Sequence, residues 1–301
     1  MATYQMAGKT LEAESRYLTL NLRDSTGILD DVQALRQRMD EDGFLLIRDF
    51  HSREEVMKVR RGILEKLHAQ NKLHPDYPLM EGVVNPHRNE VETASVRGRD
   101  HLKSDELRRL VYGPHVMTFF ERFLGGEPMS FNFQWLRTVG PGTGSTIHYD
   151  VVYMGRGTRR LYTAWTPLGD ITPEMGSLAV CLGSNRWDDV IRTYGRSDVD
   201  RDLIAGHFTD DPLELVDRFG GQWATTTFRA GDVLILNMFI MHASLTNMSN
   251  RYRISCDTRY QLASEPVDER WAGKTPVGHT AFWQPGASIE PVAQSRQRWG
   301  V

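Results

Sequence analysis

Cysteine is scarce in this chain: two residues in 301, Cys181 and Cys256. Both sit in apolar runs that read as strand. The fold is therefore expected to rest on core burial with these as small core residues, a usage that fits a reducing compartment, although one disulfide between them stays compatible with the sequence. A chain of this length can bury roughly three quarters of its unfolded surface, so it needs no covalent staples. Long apolar runs are missing too. The longest, near Val233, is about half of the ~20 residues a spanning helix requires. Neither sign of charge is in excess: 36 basic and 39 acidic residues are interspersed, for a formal net charge of −3. No basic face for nucleic acid follows from that balance. The opening Met1-Ala2-Thr3-Tyr4-Gln5-Met6 lacks the charged-then-apolar pattern of a secretory signal, and Gly300-Val301 is no peroxisomal tail. A soluble, cytoplasmic protein is the expectation; oligomeric state is not legible.

What is present centres on two short segments. In Ser145-Thr146-Ile147-His148-Tyr149-Asp150-Val151-Val152, which reads as strand, His148 and Asp150 stand two apart. Strand side chains alternate with a period of two, so both are expected to project to one side. The second segment, Gly231 to Asn237, is rich in Val, Ile and Leu and leads to His242. Two imidazoles and one carboxylate are the set that holds non-haem Fe(II) on one face and leaves other positions open. A His-x-Asp alone equally describes a surface histidine beside a carboxylate. What sharpens it is Arg253, in the strand-like Arg251-Tyr252-Arg253-Ile254-Ser255-Cys256-Asp257. An inward guanidinium there can take a carboxylate through its planar fork. Parity alone does not choose it, since Arg251 and Arg259 share its face.

The order His148-x-Asp150, His242-Ala243-Ser244, Arg253 resembles the phytanoyl-CoA dioxygenase family of Fe(II)/2-oxoglutarate oxygenases. So does the flanking text: Ala164-Trp165-Thr166-Pro167-Leu168, then Met175-Gly176-Ser177-Leu178 leading to Gly183-Ser184. The likeness covers roughly residues 40 to 262. It implies His148, Asp150 and His242 as ligands of Fe(II), and Arg253 as the cation for the far carboxylate of 2-oxoglutarate. It also implies Ser244 as a hydroxyl on that carboxylate (with Ser255 as substitute should Ser244 point away), and Trp165 near the co-substrate. The reaction implied uses O2, oxidatively decarboxylates 2-oxoglutarate to succinate and CO2, and hydroxylates an unactivated C–H bond of a small molecule. Asp150 favours hydroxylation over halogenation, because halogenases of the family replace that carboxylate with a small residue. Asn185 departs from a frequent histidine after Gly-Ser, which bears on local packing. Two rival readings are a non-catalytic metal- and 2-oxoglutarate-binding barrel and a cupin-like metalloenzyme without 2-oxoglutarate.

Along the chain, many short strands separated by Gly and Pro turns indicate a mainly β protein with flanking helices, a double-stranded β-helix (jelly-roll) barrel forming a single domain. Residues 1–27 read as an N-terminal arm and 28–128 as a helical flank and lid. The core is expected over 129–262 with an insertion at 185–221, followed by a C-terminal extension, 263–301, that has no convincing period. Helical spacing runs from Leu29 to Met39 with Gly43 as a stop, and Ser52 with Glu55 forms a capping box for the next helix. Residues 71–100, with Pro86-His87-Arg88 and Arg97, read as a loop that either covers substrate or merely connects. Residues 131–139 alternate, with Arg137 on one face and Leu136 on the other, without showing which looks inward. Arg156, Arg159 and Arg160 suit either coenzyme A phosphates or a solvated hairpin edge. The remaining histidines lack ligand spacing, and most are expected at the surface.

Overall fold

The computed structural model describes residues 2–87, 102–281, 284 and 286–301. Arg88, Arg97 and His101 lie outside the described residues, as does Pro285. The N-terminal arm opens with a hairpin, β1 (Thr3–Met6) and β2 (Lys9–Glu12), turned by Ala7 and Gly8, both at positive φ. The next piece, β3 (Leu18–Thr19), joins the body as an edge strand parallel to β9 (Gln222–Ala224).

Helix α1 (Val32–Asp42) buries Leu35 and Met39 and ends at Gly43 in the left-handed region, φ 79°. A Cβ there would sit 2.9 Å from the Asn185 Cβ. Asn185 donates through Nδ2 to the carbonyls of Asp40 and Glu41, satisfying the exposed end of α1. Its place after Gly-Ser therefore serves packing. The strand β4 (Phe44–Ile47) follows, then α2 (Arg53–Ala69), whose N-cap Ser52 accepts from the Glu55 N–H. Two further helices, α3 (Asp105–Tyr112) and α4 (Pro114–Leu124), complete the flank.

The core strands are β5 (Pro128–Ser130), β6 (Trp135–Val139), β7 (Tyr162–Pro167), β8 (Leu178–Leu182), β10 (Val233–Asn237), β11 (His242–Ser244) and β12 (Arg253–Leu262), with β9 between β8 and β10 in sequence. They pair as two sheets. The larger has the order β4-β10-β7-β12-β5, with β6 also on β12; the smaller has the order β11-β8-β9-β3. Phe44, Leu46, Leu234 and Leu236 of the large sheet meet Leu178, Val180 and Ala224 of the small one, so the sheets face each other in the jelly-roll manner. The alternate residues of the large sheet point the other way. Leu45, Ile47, Val233 and Ile235 pack on α1 and α4, while Leu136, Ile254 and Cys256 pack on α2 and α3. That settles the strand at Trp135: Arg137 looks inward and Leu136 outward.

The insertion forms α6 (Asp188–Arg192), α7 (Val199–Asp202) and α8 (Pro212–Asp217), and the C-terminal extension ends in α9 (Val292–Trp299). Tyr194, Phe208 and Trp299 join them in one apolar cluster. Cys181 and Cys256 are free and buried in separate clusters. No described helix is long and apolar enough to cross a membrane.

Candidate metal centre and co-substrate pocket

His148, Asp150 and His242 come together, each offering one ligand atom, with all three atoms within 4.8 Å of one another. The route differs from simple strand alternation. The β structure there is two isolated bridges, Ile147 to Thr209 and His148 to His242; Asp150 already has helical dihedrals, φ −63° and ψ −29°, at the start of α5 (Val151–Met154). The turn swings the carboxylate across to both rings: His148 Nε2 lies 3.6 Å and His242 Nε2 3.8 Å from Asp150 Oδ1.

The backbone orients both imidazoles. His148 Nδ1 lies 2.8 Å from the Thr146 carbonyl and His242 Nδ1 3.0 Å from that of Ile240. A carbonyl can only accept, so each Nδ1 carries the proton and each Nε2 turns a lone pair toward the cluster. Burial and the neighbouring His148 push His242 down to about 4, which keeps it a neutral ligand. Burial alone would raise Asp150, but the Arg259 guanidinium holds its carboxyl well below the usual carboxylate range.

A narrow cavity between the sheets includes His148, His242 and Arg253, with Trp165, Leu178 and Leu236 in its walls. Arg253 is 1% exposed. Its Nη1 donates to Ser255 Oγ at 2.7 Å, and its Nε has no hydrogen-bond partner among the described residues. Burial and the nearby Arg137 guanidinium push it down to about 9 against the pull of Asp257. A buried cation held this way is costly until an anion meets it. Trp165 is buried against Phe228, and its Nε1 also lacks a partner among the described residues. Unsatisfied polar atoms of this kind ask for a ligand. The donor set thus fits a divalent iron ion, and the buried Arg253 beyond it fits a carboxylate.

Ser244 is buried and linked reciprocally to Ser145: its Oγ accepts from the Ser145 N–H at 2.7 Å and its own N–H donates to Ser145 Oγ at 2.6 Å. The hydroxyl on Arg253 is that of Ser255. Arg251 reaches the surface and pairs with Glu81 at 3.0 Å. Arg259 turns inward to Asp150, a role that periodicity permitted but could not assign. Arg156 pairs with Asp198 and Arg160 with Glu265, while Arg159 lies over the Phe239 ring, so these arginines already have partners at the edge they occupy. His51 is a correction to the surface expectation: it is buried beside His115, Nδ1 to Nε2 3.0 Å.

With this geometry in view, the family comparison is decisive: the phytanoyl-CoA dioxygenase model matches residues 39–255. The chain belongs to the phytanoyl-CoA dioxygenase family. It is an oxygenase, and ferrous iron with 2-oxoglutarate is the cofactor set its triad and pocket fit. The chain is also similar to 1-deoxypentalenic acid 11-beta-hydroxylase of Streptomyces exfoliatus, 28% identical over 258 residues, spanning 80% of this chain and 85% of that one. Among solved structures, EctD from S. alaskensis with 2-oxoglutarate and 5-hydroxyectoine matches with TM-score 0.58 and 18% identity over 96% of this chain and 95% of that chain. The 2-oxoglutarate-dependent carbocyclase SnoK from nogalamycin biosynthesis matches with TM-score 0.56 and 19% identity over 89% and 97%. At those identities the structural likeness speaks for the fold.

Proposed function

We propose that this protein hydroxylates an unactivated C–H bond of a small-molecule substrate, consuming O2 and 2-oxoglutarate and releasing succinate and CO2. The observation that carries the reading is the cluster of His148, Asp150 and His242 at a cavity that also holds the buried Arg253, whose Nε has no hydrogen-bond partner among the described residues. When bound, ferrous iron and 2-oxoglutarate together supply the oxidative decarboxylation that activates O2 for C–H cleavage.

The chain's residues do the placing. His148 Nε2, His242 Nε2 and Asp150 Oδ1 hold the metal on one side and leave the remaining positions to the cavity. Arg253, with the Ser255 hydroxyl, takes the far carboxylate of 2-oxoglutarate. Ser244, on the same strand face as His242, adds a second hydroxyl and fixes Ser145. Trp165, Leu178 and Leu236 line the cavity, where they would flank the apolar middle of the co-substrate and exclude water. The relative named 1-deoxypentalenic acid 11-beta-hydroxylase supports hydroxylation as the outcome, and Asp150 supports it over halogenation.

The test is succinate release by purified protein with Fe(II), 2-oxoglutarate and a panel of candidate substrates. Wild type is expected to release succinate with at least one of them, and Asp150→Ala is expected to abolish turnover. Retained turnover in that variant would contradict the assignment, and full activity in Arg253→Ala would favour a metalloenzyme that uses no 2-oxoglutarate.

A further inference from the structure

Asp150 uses its two oxygens differently. Oδ1 faces the imidazoles of His148 and His242. Oδ2 accepts from the Thr163 hydroxyl and lies 3.3 Å from Arg259 Nη2, which is 3.5 Å from Oδ1. Arg259 is 2% exposed and meets two further groups, while its Nε and Nη1 make no hydrogen bond among the described residues. Its guanidinium lies 4.1 Å over the Trp135 ring, and Nη1 is 3.7 Å from Asp257 Oδ2. Asp257 in turn is clamped by Arg137 at 2.8 Å. A run of alternating charges, Asp150–Arg259–Asp257–Arg137, therefore reaches from the ligand carboxylate along the inward face of β12 and across to β6.

We propose that Arg259 is a positioning residue for the metal: with Thr163 it occupies Asp150 Oδ2, so that the carboxylate presents Oδ1 alone. A carboxylate free to rotate can bind a metal through both oxygens, which would use a position the co-substrate or O2 requires. The aromatic platform of Trp135 and the second acid Asp257 keep the guanidinium from following such a rotation. This inference rests on the proposed function only for the identity of the metal.

Its strength lies in the sign of the effect. A guanidinium close to a dication repels it, so on charge alone removing Arg259 should tighten metal binding. If Arg259 positions Asp150, removal should loosen it, about 10–100-fold as is typical for groups that orient metal ligands. The experiment is titration of metal-free protein with Co(II), read by its visible d–d absorption, for wild type, Arg259→Gln, Arg259→Lys and Thr163→Val. Weakened binding is expected in Arg259→Gln, less in Arg259→Lys, and weakened binding again in Thr163→Val, which leaves every charge in place and guards against a misfolded arginine variant. Thermal unfolding of each metal-free protein separates a folding defect from a change at the site. Equal or tighter Co(II) binding by Arg259→Gln and Thr163→Val overturns the proposal. If wild type itself fails to bind Co(II), the proposed function falls with it; if only the variants are indistinguishable from wild type, this inference alone falls.

Discussion

Among the single residues, Arg253 and Asp150 show opposite solutions to burial. Asp150 has the Arg259 guanidinium and the Thr163 hydroxyl against its carboxylate, and its charge is favoured. At Arg253 burial and the like charge of Arg137 outweigh the pull of Asp257, so its charge is disfavoured until an anion enters. Lysine at 253 keeps the charge but loses the planar fork. Charge-assisted hydrogen bonds contribute about 1.5–3 kcal/mol, so Arg253→Lys should raise KM for 2-oxoglutarate by about 10–100-fold. Ser255→Ala should raise it less, by about fivefold, for the loss of one ordinary hydrogen bond of about 1 kcal/mol. Steady-state kinetics with varied 2-oxoglutarate check both, and an unchanged KM in Arg253→Lys would remove the arginine from the pocket's chemistry. The cluster of His148, Asp150 and His242 was legible because its residue types and order are unusual together. The choice among Arg251, Arg253 and Arg259 was not, since strand parity treats all three alike and only the resemblance separated them.

The secondary-structure elements were legible where burial is one-sided and periodic. The apolar stripe and capping box of α2 have such a signature, whereas β7 and β12, buried on both faces, stand out by β-favouring residues between turns. What escaped has little periodicity to read. β3 is two residues long, and its partner β9 is far off in the chain. The turn of the first hairpin is Ala-Gly rather than Asn-Gly, and α9 buries only Ser295 and Trp299. The ligand segment was misread as strand because Ile147, Tyr149, Val151 and Val152 are β-favouring residues; the tertiary demand for one carboxylate beside two imidazoles bends the chain into α5 instead. His51 was hidden for a similar reason. It lies between β4 and α2, wedged against His115 of α4, Phe50 and Thr166 of β7, with Glu55 acting on His115 from α2. Burial and His115 push it down to about 3. The unfolded histidine takes up its proton near 6.5, so folding excludes a proton below that value. Stability contributed by this neutral pair should be complete above pH 6.5 and fall by up to about 1.4 kcal/mol per pH unit below it, levelling near 3. Denaturant unfolding between pH 7 and 4 should show this slope, and His51→Gln should flatten it.

For the whole molecule, the extension and the insertion are locked to the core by a buried charge cluster. Arg270 pairs with Asp200 at 2.5 Å and Asp268 at 2.6 Å, and its Nη2 donates to the Tyr153 carbonyl at 2.9 Å. Tyr153 packs edge-on against His148, ring centroids 5.2 Å apart. The cluster therefore braces the metal centre from segments that carry no ligand. None of it was visible in a sequence where Asp200 and Arg270 stand 70 residues apart in stretches without period. Arg270→Met removes the guanidinium that Asp200 and Asp268 share, although Asp200 keeps the Thr280 and Ala281 N–H donors, and should cost about 3–5 kcal/mol of stability, measured by chemical denaturation. A loss below about 1 kcal/mol would mean that the two segments are held by their apolar cluster alone.

All of these scales meet in one claim, that the triad and Arg253 bind iron and 2-oxoglutarate side by side. Anaerobic titration of 2-oxoglutarate into Fe(II)-loaded protein tests it most directly through the visible charge-transfer band of the chelated co-substrate. Wild type should develop the band and saturate, and Arg253→Ala should require far more 2-oxoglutarate. Absence of the band in wild type at saturating Fe(II) and 2-oxoglutarate would contradict it.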